Sequence, residues 1–357
     1  MYTQRIQKIV EQMELQGIDF LILSSSANLY YLTGQWLNPG RRLLVLTLDR
    51  KGQRNFIGNS LLPVAEGDVP FLTHRDQDDW IKAVSVHIPG NCVVGVDRDW
   101  NTGFLFQLMA QRQDCRFVNG SPCIEYVRQV KEPEELEILQ EASKKNDFVM
   151  DQLIRRISPD LTERQLAGYF PELCGRMGTF EGGGVIAYGP NALDAHHQAD
   201  DTPLRYGDSV LLDIGARWGR YRSDMTRTVF YGTASQEQRE VYAAVLEAHL
   251  VAAKAAEVGM PIGELDRIGT SVFEKAGYGV YATHRIGHSI GLDIHELPYV
   301  SAPEKTVLRP GMVFTIEPGI YKSSIGGVRI EDIFVMTDQG AKSLNEYPKD
   351  LLVLPVS

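Results

Sequence analysis

The stretch LLDIGARWGRYRSDMTR, residues 211–227, decides how the rest of the chain is read. An apolar run, Ser209-Val210-Leu211-Leu212, ends in Asp213, the chain turns around a glycine, and Asp224 follows on the return. If Trp218-Gly219 forms a two-residue hairpin turn, Arg217 pairs with Arg220 and Asp213 lies directly opposite Asp224. Glycine supplies the positive φ that such turns need. Directly opposed residues share one face of a sheet, with Cβ atoms about 5 Å apart. Two carboxylates so placed repel unless one is protonated or a cation lies between them. Arg217, Arg220, Arg222 and Arg227 offer a plainer neutralisation, a surface charge ladder. On this stretch alone the two readings are evenly matched, so the remaining sequence decides.

The 357 residues suffice for two domains with ample core. A hydrophobic share of 43% and a charged share of 23% are those of an ordinary globular protein. The net charge of −10 is spread along the chain, which argues against a nucleic-acid partner. The opening segment MYTQRIQKIVEQMELQGIDFLIL lacks a basic-then-apolar export pattern, because Glu11 and Glu14 interrupt it. No apolar run approaches the roughly 20 residues of a membrane span, so no membrane partner is expected. Cys92, Cys115, Cys123 and Cys174 have no CxxC spacing and read as free thiols. A soluble, cytoplasmic protein is expected.

Apolar spacing predicts a helix over residues 4–17, and further helices at 77–87 and 101–112. Strands are predicted at 20–23, 43–48, 55–57 and 92–96, an α/β alternation. Pro122 and the run Lys131-Glu132-Pro133-Glu134-Glu135 mark a boundary, placed near residue 125. An α/β N-terminal domain of residues 1–125 and a second domain of residues 126–357 follow from it. Pro133 with two glutamates after it suits the first turn of a helix. Beyond the boundary the architecture repeats. A long helix at 134–157 and a short one at 161–166 recur, about a hundred residues on, as 235–258 and 261–265. Each pair precedes a hairpin carrying two acids. The first carries Asp213 and Asp224; the second, FTIEPGIYKSSIGGVRIEDIFVM (314–336), carries Glu317 and Glu331, symmetric about Ser324. Pro318 loosens that second register, since it donates no strand hydrogen bond. A duplicated fold would bring four carboxylates to one place across a pseudo-two-fold axis.

Four carboxylates in a core are strongly destabilised without compensating positive charge. They can bridge two divalent ions about 3.5–4 Å apart, as in two-metal hydrolases. Such a site usually recruits an imidazole. The segment HRIGHSIGLDIHE, residues 284–296, offers three histidines between the two acidic hairpins, with glycines that let the backbone approach closely.

Taken in order, D-x-G-A, S-D-x-T-R-T, H-R-x-G-H-x-x-G-L-x-x-H-E, E-P-G-x-Y and G-G-V-R-I-E-D resemble the prolidase / aminopeptidase P family, whose catalytic domain has the "pita-bread" fold. Asn28-Leu29-Tyr30-Tyr31-Leu32-Thr33-Gly34 is similar to a motif of that family's N-terminal domain. The resemblance implies a dinuclear centre held by Asp213, Asp224, His288, Glu317 and Glu331. Asp213 would chelate one ion, His288 and Glu317 the other, and Asp224 and Glu331 would bridge them. Manganese is the implied metal, with cobalt, zinc or iron as alternatives. A hydroxide bridging the two ions would attack the peptide carbonyl. Glu317 would shuttle protons, while His284, His295 and His196 (or its neighbour His197) would line the substrate pocket. Tyr321 and Arg329 would hold the ligand carboxylates in place.

The implied activity is hydrolysis of Xaa-Pro dipeptides, with an aminopeptidase P acting on longer Xaa-Pro peptides as the alternative. The Xaa-Pro bond is a tertiary amide with no N–H and a restricted φ, which defeats general peptidases. A creatinase-like hydrolase or a non-catalytic peptide binder would have lost ligands, and none is lost. A homodimer is the implied assembly. Two departures stand out. Ser289 replaces the family's usual glycine after His288, where its hydroxyl would crowd the pocket or donate a hydrogen bond. Glu181-Gly182-Gly183-Gly184 is unusually glycine-rich, for a mobile wall or, preferably, tight packing.

Overall fold

A computed structural model describes residues 2–38 and 40–356. The chain divides into two compact units, Met1–Arg128 and Gln129–Ser357. A break at residue 125 would cut the helix Ser121–Arg128; the division falls after its last residue.

The first unit is α/β. Its strands are β1 (Phe20–Leu23), β2 (Leu44–Asp49), β3 (Arg54–Asn59), β4 (Phe71–His74), β5 (Val93–Val96) and β6 (Arg116–Asn119). They form one sheet in the order β4-β3-β2-β1-β5-β6. Its helices are α1 (Tyr2–Leu15), α2 (Ser26–Thr33), α3 (Trp80–Ser85), α4 (Thr102–Gln111) and α5 (Ser121–Arg128). α1 buries Ile6, Ile9 and Met13, the face its spacing predicts. α2 carries the Asn28–Gly34 motif. Ser25 caps its start by accepting from the Asn28 N–H, and Gly34 ends it at φ 74°.

The second unit opens with α6 (Pro133–Ile154) and α7 (Glu163–Arg176), and repeats the pattern with α8 (Gln236–Ala255) and α9 (Gly263–Lys275). α7 and α9 run well past the short segments expected, and α7 does so with Pro171 inside it. Capping boxes fix the starts of α7 (Thr162 with Gln165) and α8 (Ser235 with Gln238). After the first helix pair come β7 (Phe180–Tyr188), β8 (Ser209–Trp218), β9 (Tyr221–Arg222) and β10 (Met225–Tyr231). After the second come β11 (Gly287–Ser289), β12 (Glu296–Val300), β13 (Val313–Ile316), β14 (Gly319–Lys322), β15 (Gly326–Arg329), β16 (Asp332–Thr337), β17 (Gly340–Ser343) and β18 (Val353–Leu354). The two main sheets run β18-β10-β8-β7, with β9 on β8, and β12-β11-β13-β16-β17; β14 pairs with β15 separately. Apolar side chains of α6 and α7 pack on β7, β8 and β10, and those of α8 and α9 cover β13–β16. This two-fold scheme is the α+β pita-bread architecture with its internal duplication. Among the described residues no helix is long and apolar enough to cross a membrane, and all four cysteines are free.

Candidate active site

The first acidic hairpin differs from its expected register by two residues. Trp218 pairs with Tyr221 and Arg217 with Arg222, so the turn residues are Gly219 and Arg220, at φ 53° and 76°. A type I′ turn needs positive φ at both central positions, which arginine tolerates better than a bulky tryptophan. Asp213 consequently faces Thr226, and Asp224 lies diagonally across from Asp213. Because the slip is an even number of residues, both carboxylates keep the same face. The arginines of the hypothetical ladder have other work: Arg217 binds Glu181 at 2.7 Å, Arg222 donates to the Glu181 carbonyl at 2.6 Å, and Arg227 binds Asp332 at 2.7 Å.

The second hairpin keeps its expected register. Ile316 pairs with Asp332 and Gly319 with Arg329, which leaves Glu317 opposite Glu331 and centres the turn on Ser324. Pro318 interrupts the ladder there, splitting it into β13–β16 and β14–β15. The gap frees both glutamates from regular strand geometry.

Asp213, Asp224, Glu317 and Glu331 line one cavity of about 600 Å³, together with His196, His284, His288, His295 and Arg329. Asp224, His288 and Glu331 are buried, and each offers a ligand atom within 4.8 Å of the other two. His288 Nε2 stands 3.5 Å from Glu317 and 3.7 Å from Asp224. Its Nδ1 lies 3.1 Å from the Ser289 carbonyl. A carbonyl only accepts, so Nδ1 carries the proton and the Nε2 lone pair faces the carboxylates. Acceptor facing acceptor is unfavourable unless a cation lies between them. Glu331 Oε1 makes the same point: it is buried without a hydrogen-bond partner. These donors fit divalent ions.

Burial and mutual repulsion shape the charges. Burial first, then Asp213 and Glu317, hold the Asp224 proton well above the ordinary carboxylate range; Glu331 is raised likewise by burial and Asp224. Burial pushes Glu317 up to about 7. The same desolvation pushes His288 down to about 3 and His284 to about 4, so both are neutral bases.

Supporting hydrogen bonds tie the two hairpins together. Arg329 donates to Asp213, to Tyr321 and, at 3.1 Å, to Thr226, whose hydroxyl donates to Glu331 at 2.6 Å. Tyr321 and His284 Nε2 are 2.8 Å apart, and His284 Nδ1 is 2.6 Å from the Arg285 carbonyl. His295 packs edge-on against His288, ring centroids 4.4 Å apart. His196 is exposed at the cavity, whereas His197 binds Glu163 at 2.6 Å. Of the two candidate neighbours, His196 is therefore the one presented to a ligand.

Ser289 turns away from crowding the pocket: its buried hydroxyl donates to the Pro298 carbonyl at 2.8 Å. The glycine run is tight packing at Gly184, where a Cβ would come within 1.9 Å of the Asp213 carbonyl oxygen. Three residues of the site were not singled out from sequence: Thr226, which lies inside the S-D-x-T-R-T motif; Arg285, inside H-R-x-G-H; and Glu163. The last accepts from the Tyr188 N–H, Asn191 and the Asp200 N–H, besides His197, and so anchors the segment that carries His196. Its position beside the Thr162 cap was the signal for a helix start, not for a loop anchor.

Comparison with known proteins gives the same picture. Residues 137–338 match Metallopeptidase family M24, and residues 5–130 match the Creatinase/Prolidase N-terminal domain. An Xaa-Pro dipeptidase of Pyrococcus horikoshii is 32% identical over 98% of this chain and 99% of its own. The crystal structure of dipeptidase PepE from Mycobacterium ulcerans superimposes with a TM-score of 0.93, at 31% identity, covering 99% of this chain and 98% of that one. An X-Pro aminopeptidase from Thermotoga maritima gives 0.84 at 25% identity, over 98% and 99%.

Proposed function

The chain belongs to metallopeptidase family M24, and from that premise we propose that it hydrolyses Xaa-Pro dipeptides at a dinuclear metal centre. The observation that carries the reading is the meeting of His288 Nε2, as an acceptor, with the carboxylates of Asp224 and Glu317 in one buried cavity. Asp213, Asp224, His288, Glu317 and Glu331 would hold the ions. When bound, the ions, manganese by the carboxylate-rich donor set, supply a water that is nucleophilic near neutral pH and a Lewis acid for the carbonyl.

The chain's own groups do the rest. Glu317, at the cavity beside His288, would take up the proton released on attack and return it to the proline nitrogen. His295 and His196, at the cavity wall, would donate to the carbonyl oxygen as it gains charge. Arg329 fixes the orientation of Asp213, and Thr226 that of Glu331. Tyr321, bonded to both Arg329 and His284, ties the pocket imidazole to the ligand carboxylates. The enzyme would work as a homodimer, as the family resemblance implies, and in the cytoplasm, where its free thiols stay reduced.

Cleavage of longer Xaa-Pro peptides is the second reading, supported by the likeness to the Thermotoga aminopeptidase. The higher identity to the named dipeptidase favours dipeptides. The test strips the enzyme of metal, reconstitutes it with manganese, and compares an Xaa-Pro dipeptide with an Xaa-Pro-Yaa tripeptide. Cleavage of the dipeptide alone is expected. Preferential tripeptide cleavage would transfer the assignment to aminopeptidase P, and failure on both would refute the substrate class.

A further inference from the structure

Two of the four cysteines meet in the first unit, outside the active site. Cys92 and Cys115 directly precede β5 and β6, which run parallel with Val93 paired to Arg116. Cys92 therefore lies beside Cys115, and the Arg116 N–H donates to the Cys92 carbonyl at 3.0 Å. Neighbouring parallel strands lie about 4.8 Å apart, inside the Cα separation that a disulfide spans. Both side chains take the same side. Their sulfurs are 3.8 Å apart, and both approach the Pro89 carbonyl, at 3.1 Å from Cys92 and 3.5 Å from Cys115.

The plain alternative is that both cysteines fill core space as small apolar residues. Cys92 fits that description, buried in the cluster that holds Ile88, Val94 and Leu108. Cys115 does not. It is half-buried, and its sulfur accepts from the Arg112 guanidinium at 3.1 Å. The same guanidinium donates to the carbonyls of Ser85, Ile88 and Pro89 at 2.8, 2.6 and 2.7 Å. It also binds both oxygens of Asp114, each at 2.8 Å. Arg112 thus pins residues 85–89 over the two sulfurs and sets a cation on one of them. The thiols are unequal as a result. Burial, then the contact with Cys115, pushes Cys92 up to about 12, so Cys92 stays protonated. Negative charge gathering on the Cys115 sulfur is met by Arg112.

We propose that Cys92 and Cys115 form a reversible dithiol site for peroxides, in which Cys115 attacks, Cys92 resolves, and closure to a disulfide keeps Cys115 from irreversible oxidation. In a reducing compartment the pair stands open. The Cys115 sulfur attacks one oxygen of the peroxide, the O–O bond breaks, and the thiol proton leaves with the departing hydroxide as water. The Cys92 sulfur then attacks the sulfenic acid so formed. The S–S bond forms, the S–O bond breaks, and the second thiol proton leaves in a second water. Two thiols are oxidised to one disulfide, and one peroxide is reduced to two waters. The share of Cys115 in holding the Cys92 proton lapses once that sulfur is oxidised, which frees Cys92 to attack. Without Cys92, the sulfenic acid meets further peroxide and passes to sulfinic acid, which thiol reductants do not reverse.

The experiment treats the reduced, folded full chain with a small molar excess of hydrogen peroxide. In the wild type, thiols counted after denaturation should fall from four to two, and dithiothreitol should restore all four. A non-reducing digest should show one cross-linked species, joining the peptides of Cys92 and Cys115. Cys92→Ser should instead stop at a Cys115 sulfenic acid that dimedone traps. On longer exposure, the fraction of Cys115 that dithiothreitol cannot restore should rise about 10-fold over the wild type. Cys115→Ser should leave Cys92 a thiol under the same treatment. A wild type that keeps all four thiols, or that links another pair or two chains, would overturn the proposal, and this arm needs no variant. Irreversible loss of Cys115 as fast in the wild type as in Cys92→Ser would overturn it too. So would oxidation of Cys92 in Cys115→Ser at the wild-type rate, since Cys115 would then not be the attacking sulfur.

Discussion

The two acid-bearing hairpins reach the same end by different local chemistry. In the first, the β8–β10 ladder stops at Met225, and Asp224 lies in the two-residue gap between β9 and β10, diagonal to Asp213 on the same face. In the second, Pro318 breaks the ladder, and Glu317 and Glu331 stand directly opposed in the gap. Each hairpin supplies what the other lacks. Arg329 of the second neutralises Asp213 of the first, and Thr226 of the first donates to Glu331 of the second. Their depth also differs: the Asp213 side chain is 24% exposed, whereas Glu331 is sealed in with one oxygen unpaired. A duplicated scaffold thus sets the positions of its acids by strand parity, and cross-bracing, not local sequence, sets their environments.

The comparison breaks most completely at Asp224, the acid of the first hairpin that points deepest. Asp224→Asn should lower kcat/KM by roughly 10³-fold or more, since it removes several kcal/mol of metal-borne stabilisation. The ion-free protein should melt no lower than the wild type, because the change removes a buried carboxyl crowded by Asp213 and Glu317. Near-normal turnover would show that the four acids do not act as one site.

Arg329→Met tests the cross-brace. It leaves Asp213 without its counter-charge and Thr226 without its donor. Activity should fall about 10- to 100-fold, as for other groups that orient metal ligands. Stability should fall by about 3 kcal/mol, read from denaturant midpoints, because a buried partner is left unpaired. Unchanged activity would mean that each hairpin orients its own acids.

These arrangements were legible in the sequence to different depths. The second hairpin could be counted correctly because Glu317 and Glu331 are equidistant from Ser324 and the turn there is loose enough not to impose a shift. The first was miscounted because the turn residues were read as Trp218-Gly219, although glycine could equally take the first turn position. The acids still landed on one face, since an error of two residues preserves parity. His288 and its neighbours were marked by their density between the hairpins. What stayed hidden was long-range. Glu163 sits at a helix start and looks like an ordinary first-turn acid, yet it holds the segment around His196.

A smaller effect separates the two hairpins by pH. Without ions, Glu317 is pushed up to about 7, and Asp224 and Glu331 lie well above the carboxylate range, by burial and then by neighbouring acids, against the opposing pull of Arg329. Raised folded values mean that protonation stabilises the fold. That contribution is full below about pH 4.5 and is lost as pH rises through the folded values. His288 and His284, lowered to about 3 and 4 by burial, work in the opposite sense, but their contribution is complete above about pH 6.5. Ions replace the acid protons, so the rise in Tm given by manganese should grow between pH 5.5 and 8. Asp224→Asn should flatten that growth. A manganese shift independent of pH would mean that the ions do not displace these protons.

The smallest expected effect lies at the turn that set the first register. Arg220 occupies the left-handed region at φ 76°, which costs a non-glycine residue about 1–2 kcal/mol. Arg220→Gly removes that strain. It also gives up the contact of the guanidinium with Phe180, 5.2 Å from the ring centroid, and raises the entropy of the unfolded chain. The terms nearly offset, leaving a gain of about 0.5 kcal/mol by chemical denaturation and activity within about two-fold. Gly219→Ala should act in the other direction, since its Cβ would meet Ile138 at 2.8 Å at a φ of 53°. If Arg220→Gly instead lost more than about 1 kcal/mol, the Phe180 contact would be what holds the strand ends. The register of Asp213 and Asp224 would then be set by side-chain packing beyond the turn, which is the one way the two hairpins would prove alike.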